Sequence, residues 1–197
     1  MNIELIGKEI LESISVKKEL VRNEETLTKI IEVVATCITA IEKGGKIIFC
    51  GNGGSFADAQ HLSAEFTSRF LFDRPSLGSI ALGTNSSGMT AMGNDYGYEN
   101  VFSRELEALG KAEDVFIAIT TSGNSLNILK AVEMADKIGI KTYILTGRSG
   151  GRLKALSECI HMPSENTARI QECHILVGHV ICGLVEKEIF PKLSHMT

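Results

Sequence analysis

The chain has 197 residues, 44% of them hydrophobic and 22% charged, with a net charge of −4, the profile of a single globular domain long enough to bury a real core. No long basic run offers nucleic acid an electrostatic footing, and no segment approaches about 18 uninterrupted apolar residues, so neither nucleic acid nor a membrane is expected as a partner. The start, Met1-Asn2-Ile3-Glu4, has no basic stretch leading into an apolar one, and a cytoplasmic location is expected.

Residues 4–21 and 24–43 read as two helices, the second with Ile30, Ile31, Val34, Ile38 and Ile41 at helical spacing and Asn23 as its N-cap. Gly44-Gly45 stops it. Strand-like runs follow at 46–50, 79–82, 114–119, 142–146 and 159–162, separated by helical patterns at 56–69, 98–110, 125–138 and 152–157. Such alternation predicts an α/β fold: a five-stranded parallel sheet flanked by helices, with the N-terminal helices as extras. A last helix, 167–189, is apolar around most of its circumference, more than one sheet face needs, which predicts burial against another subunit. Cys37, Cys50, Cys159, Cys173 and Cys182 lack any C-x-x-C spacing and lie in apolar runs, so they are expected to be buried thiols.

Two strand-to-helix junctions carry the chemistry. Lys46–Cys50 breaks into Gly51-Asn52-Gly53-Gly54-Ser55, and Val115–Ile119 into Thr120-Thr121-Ser122-Gly123-Asn124-Ser125. Each places small residues rich in free N–H groups at a positive helix end, which suits an anion such as phosphate. The first lacks the G-x-G-x-x-G spacing of a dinucleotide site and the G-K-[ST] ending of a P-loop. A plain turn needs one N-cap hydroxyl, and the second junction supplies Thr120, Thr121, Ser122 and Ser125.

His61 and Glu65 follow the glycine run at i,i+4 spacing, able to reach a common proton or ligand. On the last helix, Arg169-Ile170-Gln171-Glu172-Cys173-His174 is followed by His179. At 100° per residue His179 lies about 80° from Gln171 and about 20° from Glu172, so either can be its companion, while His174 is about 140° away. Spacing alone makes His179, among Val177, Val180 and Ile181, a core histidine. Gly93-Asn94-Asp95-Tyr96-Gly97-Tyr98 reads as a polar turn entering a helix, with Asn94 or Asp95 available to a sugar hydroxyl.

Cys50–Ser55, Ala59–Phe66, Gly93–Gly97, Thr121–Ser125 and Arg169–His174 together resemble the phosphoheptose isomerases of the sugar isomerase (SIS) domain superfamily, in the family's order from about residue 30 to 190. The resemblance implies a flavodoxin-like core, with 1–45 as N-terminal helices packing on the core and in the oligomer and 46–197 as the SIS domain. It implies an aldose–ketose isomerase converting sedoheptulose 7-phosphate to D-glycero-D-manno-heptose 7-phosphate for surface glycans such as lipopolysaccharide, working as a homotetramer.

Carried over by motif position, Ser55, Thr120, Thr121, Ser122 and Ser125 hold the phosphate, and Asn52, Gly53, Gly54, Asn94, Asp95 and Gln171 line the sugar. Glu65 and His179 become the acid/base pair, Glu65 also touching substrate, and His61, Glu65, Gln171 and His179 the ligands of one zinc per subunit. Moving a carbonyl between neighbouring carbons needs a proton removed beside it and returned next door, which a carboxylate and an imidazole can do. Thr120 stands where relatives often carry Ser, and Ala168 where some carry Asp. A related branch of the fold is a non-enzymatic scaffold that binds the replication initiator and lacks the acid/base pair; Glu65 and His179 favour the isomerase. The fold alone does not exclude a sugar-phosphate sensor.

Overall fold

The computed structural model of the chain describes residues 2–193; the last four residues of the expected 46–197 unit lie outside them. Helices α1 (Ile3–Leu20) and α2 (Glu24–Glu42) lead into β1 (Ile47–Gly51), α3 (Gly54–Thr67), β2 (Ser79–Ala81), α4 (Ser86–Tyr96), α5 (Val101–Leu109), β3 (Val115–Thr120), α6 (Leu126–Ile138), β4 (Lys141–Thr146), β5 (Glu158–His161) and α7 (Thr167–Ile189). The five strands form one sheet in the order β2-β1-β3-β4-β5, every neighbouring pair parallel. The order reverses between β1 and β3. Ligand crevices of doubly wound sheets open at such a switch point, beyond the carboxyl ends of the strands.

Helices cover both faces, which explains why the strands read as unbroken apolar runs. From β1 and β3, Ile47, Phe49, Val115, Ile117 and Ile119 enter a core shared with α2, α3 and α7. Ile48, Cys50, Phe116 and Ala118 alternate to the other face, against α5 and α6. All five cysteines are buried free thiols. Asn23 caps α2 as expected, accepting from the Thr26 N–H at 3.0 Å. By length and composition α7 could cross a membrane, but half of its apolar window is buried inside this fold, as in the core helix of an α/β domain.

Two expectations are corrected. Gly93–Tyr96 is not a turn entering a helix but the last turn of α4, which sequence reading missed altogether. With Gly88 and Gly93 in its interior and no fully buried residue, α4 has weak intrinsic propensity. It is held by the Asn85 cap on the Gly88 N–H and by Met89 and Met92 against the core, and it ends at Gly97, whose φ of 86° few other residues adopt. A 3₁₀ turn at Tyr98–Asn100 then leads into α5. The helix expected at 152–157 is likewise a 3₁₀ turn, Gly151–Ala155, pinned by buried Leu153.

Candidate active site

The glycine run after β1 and the hydroxyl run after β3 face each other across the switch point, where Gly51 pairs with Ile119. Between them lies a cavity of about 310 Å³. Asn52, Gly53, Gly54 and Ser55 line one side, Thr120, Thr121 and Ser125 the other, and Thr167 and Gln171 of α7 close it. Ser122 is on the same loop but exposed, outside the lining, its Oγ accepting from the Asn124 N–H at 3.2 Å. The Thr120 hydroxyl accepts from the Gly123 N–H at 3.3 Å, so it also shapes the loop.

The helix ends show what this cavity offers. The side chains of Asn2, Asn23, Asn85 and Asn166 cap α1, α2, α4 and α7. The helices that open on the cavity, α3 behind Gly53 and α6 behind Ser125, have no side-chain cap. The N–H groups of Ser55, Phe56 and Ile128 bond within their own turns, while those of Gly54, Leu126 and Asn127 have no partner among the described residues, and two positive helix ends with such donors suit an anion. Gly54 lets Gln171 close over the loop: a Cβ there would lie 2.4 Å from the Gln171 Nε2, and the carboxamide would have to swing away.

Sequence reading missed how the first loop is braced. The carboxamides of Asn52 and Asn127 exchange both hydrogen bonds, at 2.9 and 2.8 Å, and the Tyr98 hydroxyl donates to the Asn52 Oδ1 at 2.9 Å. Asn52's oxygen is therefore committed to holding the two junctions together. The available signal was Asn127 itself, a polar residue among Leu126, Ile128 and Leu129.

Farther along α3 and α7 lies the second cluster. The Nε2 atoms of His61 and His179 are 3.0 Å apart, His61 Nε2 is 3.2 Å from Glu65 Oε1, and one ligand atom from each residue falls within 4.8 Å of the others. One chain supplies all three. His179 is therefore no core histidine; that role belongs to His174, fully buried on α7. Partial burial, then the neighbouring His61, push the His179 pKa below its ordinary value, with Glu65 opposing, so its imidazole is neutral at physiological pH.

The structure also separates Gln171 from Glu172. Glu172 accepts from Ser13 and Lys17 of α1 and pairs with Arg169 at 2.8 Å, so it tethers α1 to α7. Gln171 faces the glycine loop instead. Asn94 and Asp95 are exposed at the end of α4, bonded to each other at 2.8 Å, and neither lines the switch-point cavity; Asp95 borders a separate groove between α4 and α5.

A flavodoxin-ordered sheet with an anion cradle at its switch point and a carboxylate–imidazole cluster alongside defines a doubly wound protein built to hold a phosphorylated ligand beside proton-transfer groups. The chain matches the SIS domain family over residues 11–147. It is 53% identical over 186 residues to a phosphoheptose isomerase of Aneurinibacillus thermoaerophilus, covering 94% of each protein. A solved phosphoheptose isomerase from Francisella tularensis shares 36% identity with a TM-score of 0.89, over 95% of this chain and all of that one. One from Neisseria gonorrhoeae shares 39% with a TM-score of 0.85, over 92% of this chain and 98% of that one. The chain belongs to the SIS domain family and, within it, to the phosphoheptose isomerases.

Proposed function

We propose that the protein converts sedoheptulose 7-phosphate to D-glycero-D-manno-heptose 7-phosphate through an enediolate, supplying heptose for surface glycans such as lipopolysaccharide from the cytoplasm. The observation that carries this is the alignment of cradle and cluster along two helices. Gly54 opens α3 and Gln171 lies in the second turn of α7, while His61 and His179 sit seven and eight residues farther on, about 10–12 Å at 1.5 Å per residue. That spacing matches an extended seven-carbon sugar with its phosphate at the uncapped helix ends and its carbonyl end at the cluster.

In this pose Ser55, Thr121 and Ser125 join the free N–H groups on the phosphate, with Ser122 reaching it from the loop's exposed side. Asn52, Gly53, Gly54 and Gln171 flank the sugar chain. Glu65 takes the proton from the hydroxyl-bearing carbon beside the carbonyl and returns it to the former carbonyl carbon, while neutral His179 handles the proton that moves between the two oxygens, so that carbonyl and hydroxyl exchange places. Asn94 and Asp95 come to the sugar by the family's motif alone, since neither lines the cavity here.

The donor set of the cluster fits one zinc ion per subunit: two imidazoles with facing Nε2 atoms and a carboxylate, which leave a fourth position open. Gln171, the fourth ligand the family resemblance implies, lies about 12 Å along α7 from His179 with its carboxamide against Gly54, so within one chain it serves the cradle. Bound there, the ion would supply electrophilic stabilisation of the developing oxyanion. We further propose a homotetramer. Leu176, Val180 and Leu184 of α7 are exposed beside an apolar groove of about 340 Å³ shared with α1 and α2, and burying them is favourable.

The direct test incubates purified protein with sedoheptulose 7-phosphate and follows the aldoheptose phosphate by NMR. Absence of any ketose-phosphate isomerisation refutes the proposal. Chelation should abolish turnover and zinc restore it; full activity in protein shown metal-free by elemental analysis would leave the cluster a metal-independent acid/base site.

A further inference from the structure

Behind the cluster lies an ion pair that the proposed chemistry does not use. Arg74, in the loop after α3, and Glu186, near the end of α7, are both fully buried and meet at 2.9 Å. The Arg74 guanidinium also donates to the carbonyls of Glu65 at 2.8 Å, Phe66 at 2.7 Å, Ser68 at 3.2 Å and Pro75 at 3.0 Å. The Glu186 carboxylate accepts from the N–H groups of Phe70 at 2.9 Å and Leu71 at 2.7 Å. Burying two charges gains little stability over an apolar pair of the same size, so stability alone does not call for this network.

Its placement does. Arg74 takes up carbonyls of the last turn of α3, which a helix end leaves unsatisfied, and one of these belongs to Glu65 itself. Glu186 is seven residues beyond His179, about 20° away around α7 and so on the same face. The turn that Glu186 grips presents the Phe70 ring to His179, stacked at 5.3 Å between centroids and 23° between planes. One ion pair thus fixes the backbone of Glu65, the helix of His179 and the ring that sets the tilt of the His179 imidazole.

We infer that Arg74 and Glu186, acting through Phe70, are positioning residues for the Glu65–His179 pair. The inference rests on the catalytic reading of that pair. A 1 Å displacement of groups remote from the reacting atoms can cost about 100-fold in rate, and the network joins the two helices whose separation sets that distance.

The test compares Arg74→Lys and Phe70→Leu with wild type by kcat and KM per folded protein, thermal midpoint, and histidine-selective NMR. Both variants should fold, with KM within about twofold of wild type and kcat lowered about 10- to 100-fold. In Arg74→Lys the His179 and His61 resonances should move; in Phe70→Leu, the His61 resonances, through the displaced His179. A lower midpoint with kcat within about threefold of wild type and unmoved resonances would make the network a plain helix cap and overturn the inference. If Arg74→Lys does not fold, Phe70→Leu decides by the same criteria, since it leaves every bond of the ion pair in place. If wild type isomerises no ketose phosphate, the catalytic reading fails separately, and the resonances alone decide the positioning: moved, it stands; unmoved, it falls.

Discussion

Leu62 of α3 lies so close over Gly178 of α7 that a Cβ on Gly178 would come within 2.5 Å of both Leu62 methyl carbons. Each is the chain neighbour of a cluster histidine, His61 or His179, so this crossing sets the 3.0 Å approach of the two rings. Glycine weakens a helix interior by about 1 kcal/mol relative to alanine, and here the close crossing offsets that. Gly178→Ala should gain helix propensity yet lose about 1–3 kcal/mol to overpacking, with kcat falling along with stability. Adding Leu62→Val should recover part of both. Denaturant midpoints and kcat for the two variants check it; a Gly178→Ala protein as stable and active as wild type would show that the crossing has slack.

The uncapped ends of α3 and α6 predict where substrate affinity resides. Ser125 lines the cavity at the start of α6 with no capping bond of its own, so its hydroxyl is free for phosphate. Ser125→Ala should raise KM for the phosphorylated ketose about tenfold or more, the cost of losing a bond to a charged acceptor at about 1.5–3 kcal/mol. Ser122→Ala, outside the lining, should raise KM less. Equal KM values for both variants and wild type would place the phosphate elsewhere.

Strands and the two junctions were legible because buried β-branched runs ending in small residues have one reading in an α/β chain. His61 and Glu65 were visible as an i,i+4 pair. Less legible was anything settled by packing between distant segments. The helical wheel gave His179 an apolar neighbourhood, but the groove between α3 and α7 exposes it and buries His174 instead. Glu172 rivalled Gln171 until α1 claimed it through Ser13 and Lys17. Arg74 and Glu186, 112 residues apart, carry no local signal at all. The α4 helix escaped notice because its glycines and serines are held by a cap and two methionines rather than by an apolar stripe.

His174 predicts an acid-side stability loss. It is fully buried, neither ring nitrogen making a well-formed hydrogen bond among the described residues, and burial pushes its pKa from 6.5 down to about 4, opposed by the backbone of Thr146. Between those values the unfolded chain binds a proton that the folded one refuses, so stability falls as pH drops from about 6.5 to 4, by about 3 kcal/mol at the limit. Asp58 runs the other way: burial first, with His61 opposing, raises its pKa from 3.8 to about 6, so acidification favours its folded form. The effect of His174 is isolated by His174→Leu, whose stability advantage over wild type should grow from pH 7 to pH 4.5. Denaturant midpoints that keep a constant gap across that range would contradict it.

Glu65 and His179 face a common point from α3 and α7, with His61 between them as a neighbour of both. Glu65→Gln keeps the size and hydrogen-bonding capacity of the side chain but cannot take a proton, so turnover should fall about 10²–10⁴-fold if Glu65 is the general base. His179→Gln should fall likewise. Both side chains are only partly buried and neither belongs to the core, so thermal midpoint and assembly should change little, which separates loss of chemistry from loss of fold. Exchange of solvent deuterium into the carbon beside the carbonyl should vanish along with turnover in Glu65→Gln, because that exchange needs the base even when isomerisation is not completed. Near-normal isomerisation in either variant would remove that residue from the acid/base pair. Exchange that persists in Glu65→Gln would transfer proton abstraction to another group, with His179 the first to examine.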